Sequence, residues 1–226
     1  ADDTSSQLFS AGYFDQNGLM KYTGFRRLNG RFNSEWKLFN KHAIIGENIS
    51  LSHDWGVGAT NNSALSGMLY NAYKYMSIIP VYDNNGNFAG NPFGDIENPL
   101  GSLYRNKDNN EHNTRIMGNA YIQISPIDGL TFKSNFGTDY KNYNLRDYSP
   151  KFSEINVLQA LSTLTNTNSG RFNWVFTNTL NYLKSFGLND VNVLLGTESL
   201  RNRYEYFTAT RKGFAFDDEN FHYLNA

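Results

Sequence analysis

What most constrains this chain is an alternation of apolar and polar residues that persists for ten residues or more at a time. Between Thr114 and Tyr140, Ile116, Gly118, Ala120, Ile122 and Ile124 recur at every second place, with Arg115, Asn119, Tyr121 and Gln123 in between. After a turn at Pro126 to Gly129, Leu130, Phe132, Phe136 and Tyr140 alternate with Thr131, Lys133, Asn135 and Asp139. A period of two puts the two sets on opposite faces of a β-strand, so the stretch predicts one β-hairpin. Strands of soluble sheets run about 5 to 6 residues. A strand crossing a bilayer obliquely needs about 9 to 11, and the alternation here suits that length.

The same grammar occurs twice more. Upstream, Leu28, Gly30, Phe32, Trp36 and Leu38 oppose Arg27, Asn29, Arg31, Asn33, Glu35 and Lys37, before a turn at Phe39 to Lys41. Downstream, Phe172, Trp174, Phe176, Leu180 and Tyr182 oppose Arg171, Asn173, Thr177, Thr179 and Asn181. The return strand after Gly187 to Asp190 sets Val191, Val193 and Leu195 against Asn192 and Glu198. A first strand is expected over Ser5 to Tyr13, closed by a turn in which Asn17-Gly18 takes positive φ. That makes about seven strands. One residue is discordant: Glu47 falls on the face of Ala43, Ile45, Ile49 and Leu51, and a bulge turning it inward is the expected remedy. Turns within hairpins are short, whereas the connections from Gly56 to Glu111 and from Asn142 to Ser169 are long. Outer-membrane barrels have that asymmetry, with the long loops outside. A soluble domain rarely tolerates it.

Composition agrees once the alternation is taken into account. A hydrophobic share of 39% and a net charge of −1, with a mean hydropathy of −0.56, would by themselves fit a soluble domain. Barrel strands carry a polar residue at every second place and add polar loops, so their average is equally low. No run of about 18 apolar residues exists, which excludes a membrane-spanning helix. The 15 Tyr and 17 Phe fit two interfacial girdles, Trp36, Phe39, Tyr182 and Phe186 near the short turns and Tyr140, Tyr143, Tyr204 and Tyr206 at the other end. Cysteine is absent, which removes disulfides and thiolate metal sites and leaves the compartment open. The 20 basic residues are scattered rather than gathered into the stripe that nucleic acid needs.

Catalytic motifs are lacking: there is no HExxH, GxSxG or phosphate-binding glycine loop, and His42, His53, His112 and His222 show no metal spacing. No catalytic residue, cofactor or metal is expected. Asp83, Asn85 and Asn87 have their glycine at the fourth position rather than the sixth of a calcium loop, so VYDNNGNFAGNPFGDIENPLG reads as turns. In the first long loop a short helix is expected from Leu65, Met68, Leu69, Ala72 and Met76, ended by Pro80. LSTLTNTNS reads as solvated linker. The segment from Thr208 reads as the start of another loop, with Asp217, Asp218 and Glu219 solvated. The start, ADDTSSQLFS, has no secretory-signal pattern. The aromatics Trp55, Tyr70, Tyr73, Tyr82 and Phe93 of the first long loop are candidates for touching a substrate or a lid protein. Arg27, Arg31, Asn119, Lys133 and Arg171 are candidates for facing a barrel lumen.

The set GFRRLNGRFNSEWKLFNKHAIIGENISLS, IIPVYDNNGNFAG, GNAYIQISPIDGLTFKSNFGTDY and NTLNYLKSFGLNDVNVLLGTES resembles the barrel of SusC/RagA-type TonB-dependent transporters of Bacteroidetes outer membranes. The resemblance covers most of the chain in family order. It implies an all-β transmembrane antiparallel barrel of 22 strands, of which residues 1–226 are a part without the N-terminal plug and the closing C-terminal strands. It further implies import of glycan or peptide fragments across the outer membrane, surrounding outer-membrane lipid, a SusD-like surface lipoprotein as lid, and the TonB complex as energy source. Two alternatives remain beside it: a barrel of this type acting as a structural or docking component of a larger envelope complex, and a soluble β-sandwich binding module.

Overall fold

Long strands carry an N–H donor and a C=O acceptor at nearly every residue, and these are satisfied by pairing with neighbouring strands. In the computed structural model, which describes residues 4–58, 67–216 and 219–224, one up-and-down antiparallel sheet meets that need for every strand between its two edges. It comprises β1 (Ser5–Asn17), β2 (Gly24–Leu38), β3 (Ala43–Val57), β4 (Asn110–Ile127) and β5 (Leu130–Ser149), then β8 (Thr163–Phe186) and β9 (Asn189–Lys212). Seven strands were expected, and the sheet has seven, in the order β1-β2-β3-β4-β5-β8-β9. A separate small hairpin, β6 (Phe152–Glu154) with β7 (Val157–Gln159), interrupts the connection from β5 to β8. Two helices, α1 (Met68–Lys74) and α2 (Pro99–Asn106), lie in the connection from β3 to β4. Among the described residues no helix is long and apolar enough to cross a membrane.

The pairing register carries the alternation from strand to strand, with a shift between Ile124 and Ile127 beside the β4–β5 turn. One row runs Phe32, Ile49, Gly118, Thr138, Trp174, and the row above it runs Gly30, Leu51, Ile116, Tyr140, Phe172. These rows share an apolar face, and the intervening rows form a polar one. Ile122, Phe132, Phe136, Phe172, Phe176 and Val193 fall on the first; Asn119, Lys133, Arg171, Thr177 and Asn192 fall on the second. The apolar face is open: Phe9 is 76% exposed and Leu28 54%. The buried apolar residues Ala89, Leu103, Leu164 and Phe214 lie at the long-loop end. Among the described residues the other sheet is the two-stranded β6–β7 hairpin, too small to form the second layer of a sandwich over this face.

Along β3, Ile45 pairs with Trp36 and Trp55 with Arg26. Ten residues at a rise of about 3.4 Å, tilted by about 40°, span about 26 Å. The apolar band of an outer-membrane barrel is about 25 Å tall. Trp36, Tyr182 and Phe186 mark its short-turn edge on the apolar face. At the other edge Tyr140 is joined by Tyr13, Trp55 and Phe172, with Tyr13 and Trp55 rings 6.4 Å apart. Tyr143, Tyr204 and Tyr206, expected in that girdle, lie on the polar face instead. The register assigns the faces, and an aromatic residue at an odd place in the period turns with its strand.

Several local expectations are corrected. Pairing through Ser34, Glu47 and Ala120 is continuous, so no bulge turns Glu47 inward. It stays on the apolar face, where the hydroxyl of the nearly buried Ser34 donates to its carboxylate at 2.5 Å. In the β1–β2 turn the left-handed residue is Tyr22, with φ 66, rather than Asn17-Gly18. The Gly18 N–H reaches across to Thr23 O at 2.9 Å, which closes a longer loop than two residues. The β2–β3 turn falls where expected, with Phe39, Asn40 and Lys41 all left-handed at φ 51, 53 and 73. The tract LSTLTNTNS is mostly strand, and β9 runs on to Lys212. Its threonines pair across the two strands, Thr165 with Thr210 at 3.2 Å and Thr167 with Thr208 at 3.3 Å, where β-branched residues fit a pleated surface. The helix expected near Met68 forms, but α2 stands where turns were expected, and the long connection expected from Asn142 to Ser169 is shortened by β5 and β8 and holds the β6–β7 hairpin. Leu65, Asp217 and Asp218 lie outside the described residues.

Candidate functional site

The polar face is knitted by pairs of opposite or complementary character. Arg27 holds Asp54 through two bonds of 2.6 and 3.3 Å, and Asn113 donates to the same carboxylate at 3.2 Å. Arg115 grips Asp139 at 2.8 and 2.9 Å. An amide ladder passes from Asn48 through Asn119 to Asn135 at 3.2 and 2.7 Å. The Tyr121 hydroxyl donates to Glu35 at 2.8 Å, with the Lys133 ammonium 4.4 Å from its ring centroid. Arg31 donates to Asn33 at 3.2 Å, and Arg171 lies 5.6 Å from the Tyr204 ring. All five lumen candidates therefore share this face. Pairs this exposed add about 0 to 1 kcal/mol each; their consequence is a hydrated wall of mixed sign.

At the other site, the β3–β4 connection and the β6–β7 hairpin fold together over the long-loop end of the wall. The hub is Asn98, 1% exposed. Its side-chain oxygen accepts from the N–H groups of Leu100 and Gly101, both at 3.1 Å, which caps α2, and Pro99 occupies the first turn. An Asn cap followed by Pro is a favoured helix start, since Pro lacks an N–H that would be orphaned there. The Asn98 amide donates to Val81 O and Ala89 O, both at 3.0 Å. The Asn98 backbone N–H donates to Glu154 of β6 at 2.7 Å. Arg105 extends the join: it pairs with Glu97 and, at 2.8 Å, with Glu154, and its guanidinium stacks 3.7 Å from the Phe152 ring centroid. Asn109 anchors the module to β5, donating to Asp147 at 2.8 Å and accepting from Tyr148 N at 2.7 Å. The expected turn at Asp83 forms, its carboxylate taking the N–H groups of Asn87 and Asn85 at 2.9 Å each. The Asn87 N–H above all holds the Asp83 acid below its ordinary range, with burial opposing.

Two cavities open between these parts. One of about 590 Å³ is bounded by Tyr70, Lys74, Glu97, Arg105 and Asp147. The other, about 700 Å³, is bounded by Tyr22, Tyr82, Phe88, Tyr104 and Phe152. Of the aromatics singled out in the sequence, Tyr70 and Tyr82 line these two cavities. Tyr73 is 89% exposed and Phe93 69%, and neither lines these two. Trp55 belongs to β3 rather than to the loop, on the apolar face beside Tyr13 and His53, because pairing with β4 carries that strand on to Val57; there it lines a third cavity, of about 430 Å³, with Tyr22 and Arg26. Sequence reasoning missed Asn98, Arg105, Glu154, Tyr22, Phe88 and Tyr104. The Asn98-Pro99 pair was the readable signal for α2. The long-range joins between α2 and β6 carry no local signature.

Fold and site together define a stretch of outer-membrane-type β-barrel wall with a folded surface module. No family model matches the chain. Its homologues are TonB-dependent receptors: receptor P3 of Formosa agariphila is 24% identical over 98% of this chain, and receptor P39 of the same organism 24% over 90%. In structure it is similar to a chain of the RagAB peptide transporter, with a TM-score of 0.77, 23% identity and 95% of this chain covered. The RagAB peptide importer in its 'open-open' state gives 0.74, 24% and 98%. The chain spans 22% and 19% of the two receptors and 25% of each RagAB chain. By their names these relatives are receptors and a peptide transporter rather than enzymes, and this chain is similar to them over nearly its whole length.

Proposed function

We infer that this chain is wall and surface loop of a SusC-like, TonB-dependent importer with a barrel of 22 strands, a lumen on its polar face and lipid on its apolar face. The module built from residues 67–109 and the β6–β7 hairpin is then a seat for a SusD-like lid lipoprotein or a wall of the chamber that receives glycan or peptide fragments. The TonB complex engages a part of the protein outside these residues. The observation that carries this reading is the module itself: a connection far longer than neighbouring strands need, folded about a buried hub, at the end where barrels of this class place their outer loops. Tyr73, Tyr82 and Phe93 supply its exposed aromatic surface, and Tyr70 is half-buried.

The experiment is a deletion in the full-length protein. The Asn106 amide donates to Gly58 O at 2.7 Å, so the two ends of the connection are close and a short Gly-Ser linker can replace residues 67–106. The barrel should still assemble, shown by heat-modifiable gel migration, while capture of the lid lipoprotein or substrate uptake is lost. Survival of both would refute the assignment.

A further inference from the structure

At the outer edge of the apolar face, β5, β8 and β9 form a dished patch. Gly170 stands at its centre, paired with Asn142 on one side and Glu205 on the other. A Cβ added to Gly170 would meet nothing within 4 Å, so the patch is hollow where its middle side chain would be. The hollow is a cavity of about 450 Å³, with the rings of Tyr140, Phe172 and Phe207 and the Arg203–Glu205 pair on its rim. Tyr140 and Phe172 mark the outer edge of the apolar band, and Phe172 pairs with Arg203. The dish therefore lies at the level where a bilayer turns from hydrocarbon to headgroups, the place of an aromatic girdle.

The charges on β9 are ordered. Pairing with Trp174, Phe172 and Gly170 sets Arg201, Arg203 and Glu205 on this face in succession, running outward from the band. An arginine at such an edge can lay its stem on apolar groups and keep its head in water. That accounts for each arginine singly, but not for an acid set beside them over an empty dish. Arg203 donates through Nε, at 2.9 Å, and through Nη2 to one oxygen of Glu205. Nη1 and the second carboxylate oxygen remain for another partner. Among the described residues Arg201 has no carboxylate partner.

A guest that fits carries an anion near the band, an ammonium beyond it and apolar chains below. A phosphate accepts from the planar forks of Arg201 and Arg203. An ammonium farther out meets Glu205 and the ring of Phe207, since aromatic faces attract cations. A purely anionic headgroup would set its charge against Glu205 with nothing to answer it.

We propose that the dish centred on Gly170 binds the headgroup of a phosphoethanolamine lipid, its phosphate at Arg201 and Arg203, its ammonium at Glu205 and Phe207, and its acyl chains along the apolar band below. This goes beyond the importer reading and rests on one part of it, that the apolar face meets lipid. Loss of one contact weakens retention of the lipid about three- to tenfold, the range of a single cation–ring or charge-assisted contact at a half-exposed site.

The test is native mass spectrometry of the full-length protein released from nanodiscs that hold phosphatidylethanolamine, phosphatidylglycerol and phosphatidylcholine in equal shares. Phosphatidylethanolamine should be retained in preference to the other two, because the glycerol headgroup has no cation and the choline headgroup has no N–H to give Glu205. Gly170→Leu, which fills the dish without meeting a neighbour, and Arg203→Ala should each lower that retention about three- to tenfold. Glu205→Gln should erase the preference over phosphatidylglycerol. Arg26→Ala, at the same edge on β2, should change nothing. Glycerophosphoethanolamine, the headgroup without chains, should not displace the lipid, which separates a lipid site from one for the free phosphoester. Heat-modifiable migration verifies that each variant is folded. Equal retention of the three lipids, a preference for phosphatidylglycerol, retention indifferent to both Gly170→Leu and Arg203→Ala, or displacement by the free headgroup would each overturn the proposal. Labelling of Phe136→Cys and Phe176→Cys reads the wall separately. If these react with membrane-dissolved reagents while the dish variants retain lipid as wild type does, the lipid-facing wall stands and the headgroup site falls.

Discussion

Replacing Asn98 with alanine should loosen the surface module while leaving the barrel wall intact. The side chain makes four bonds of 3.0 to 3.1 Å, two that cap α2 and two that hold the Val81 and Ala89 carbonyls. Loss of an Asn cap costs about 1 kcal/mol, and each amide bond lost costs about 0.5 to 1.5 kcal/mol. Both carbonyls keep another donor, from Ala89 N at 3.0 Å and from the Tyr75 hydroxyl at 2.5 Å, so neither is orphaned. The sum is about 2 to 4 kcal/mol, or about 30- to 1,000-fold more frequent local opening. Hydrogen exchange over residues 100–105 of the full-length protein reads it directly. Exchange in β4 and β5 should not move, because their ladders do not involve Asn98. Asn98→Asp separates the contributions. It keeps the cap acceptor, loses both amide donors and sets a second carboxylate beside Glu154, so it should open the 81–89 segment more than the first turn of α2. An exchange increase below threefold in Asn98→Ala would refute the hub.

Single cysteines in the full-length protein at Ile122, Phe132, Phe136, Phe172, Phe176 and Val193 should react with membrane-dissolved apolar reagents, and those at Asn119, Lys133, Arg171, Thr177 and Asn192 with water-soluble ones; a mixed pattern within one strand would contradict the two-faced wall. Lys41→Gly should stabilise the β2–β3 turn by about 1 kcal/mol, since glycine adopts its φ of 73 without steric cost, and urea unfolding from lipid vesicles measures it. The double change Glu47→Leu with Ser34→Ala removes a polar pair from the apolar face and should leave stability unchanged or raise it by about 1 kcal/mol; a loss above about 2 kcal/mol would mean that Glu47 is held by something besides Ser34. The Asp83 turn, whose acid has a folded pKa below its unfolded value, contributes stability present above about pH 4 and lost as the pH falls through the folded value. Amide protection of Asn85 and Asn87 should therefore persist at pH 4 and fade at lower pH, and Asp83→Asn should remove that dependence.

The wall was legible in the sequence because a barrel strand states its two faces in its own residues. Ile116 to Ile124 against Arg115 to Gln123 already separates apolar from polar, and pairing only had to align the rows. Legibility failed where a partner strand decides. The threonines and asparagines between Leu161 and Ser169 look like linker until Thr208 and Thr210 lie opposite them. Tyr143 and Tyr204 look like girdle residues until the register sets them among Asn113 and Arg171. In the module the failure has another cause. Arg105 and Glu154 are 49 residues apart, and nothing near either one announces the other. Asn98-Pro99 was a local signal, hidden in a tract whose Asn, Gly and Pro density favours turns everywhere.

Wall and module are therefore specified by different physics, and this has a consequence for how such a protein changes. The wall is held by backbone ladders and by a period of two that any apolar residue can satisfy on one face. It tolerates wide substitution as long as the period survives. The module has few buried apolar side chains, Ala89 and Leu103 among them, and relies on Asn98, Asn109, Arg105 and Glu154, each with a fixed set of partners. A hydrogen-bonded hub rejects substitution at its centre, because buried donors left unpaired cost about 1 to 3 kcal/mol each. The rings around it touch solvent and are free to vary. Tyr22, Tyr82 and Tyr104 can be exchanged without touching either the ladder or the hub, so the surface offered to a guest can be remodelled while the barrel that carries it stays the same.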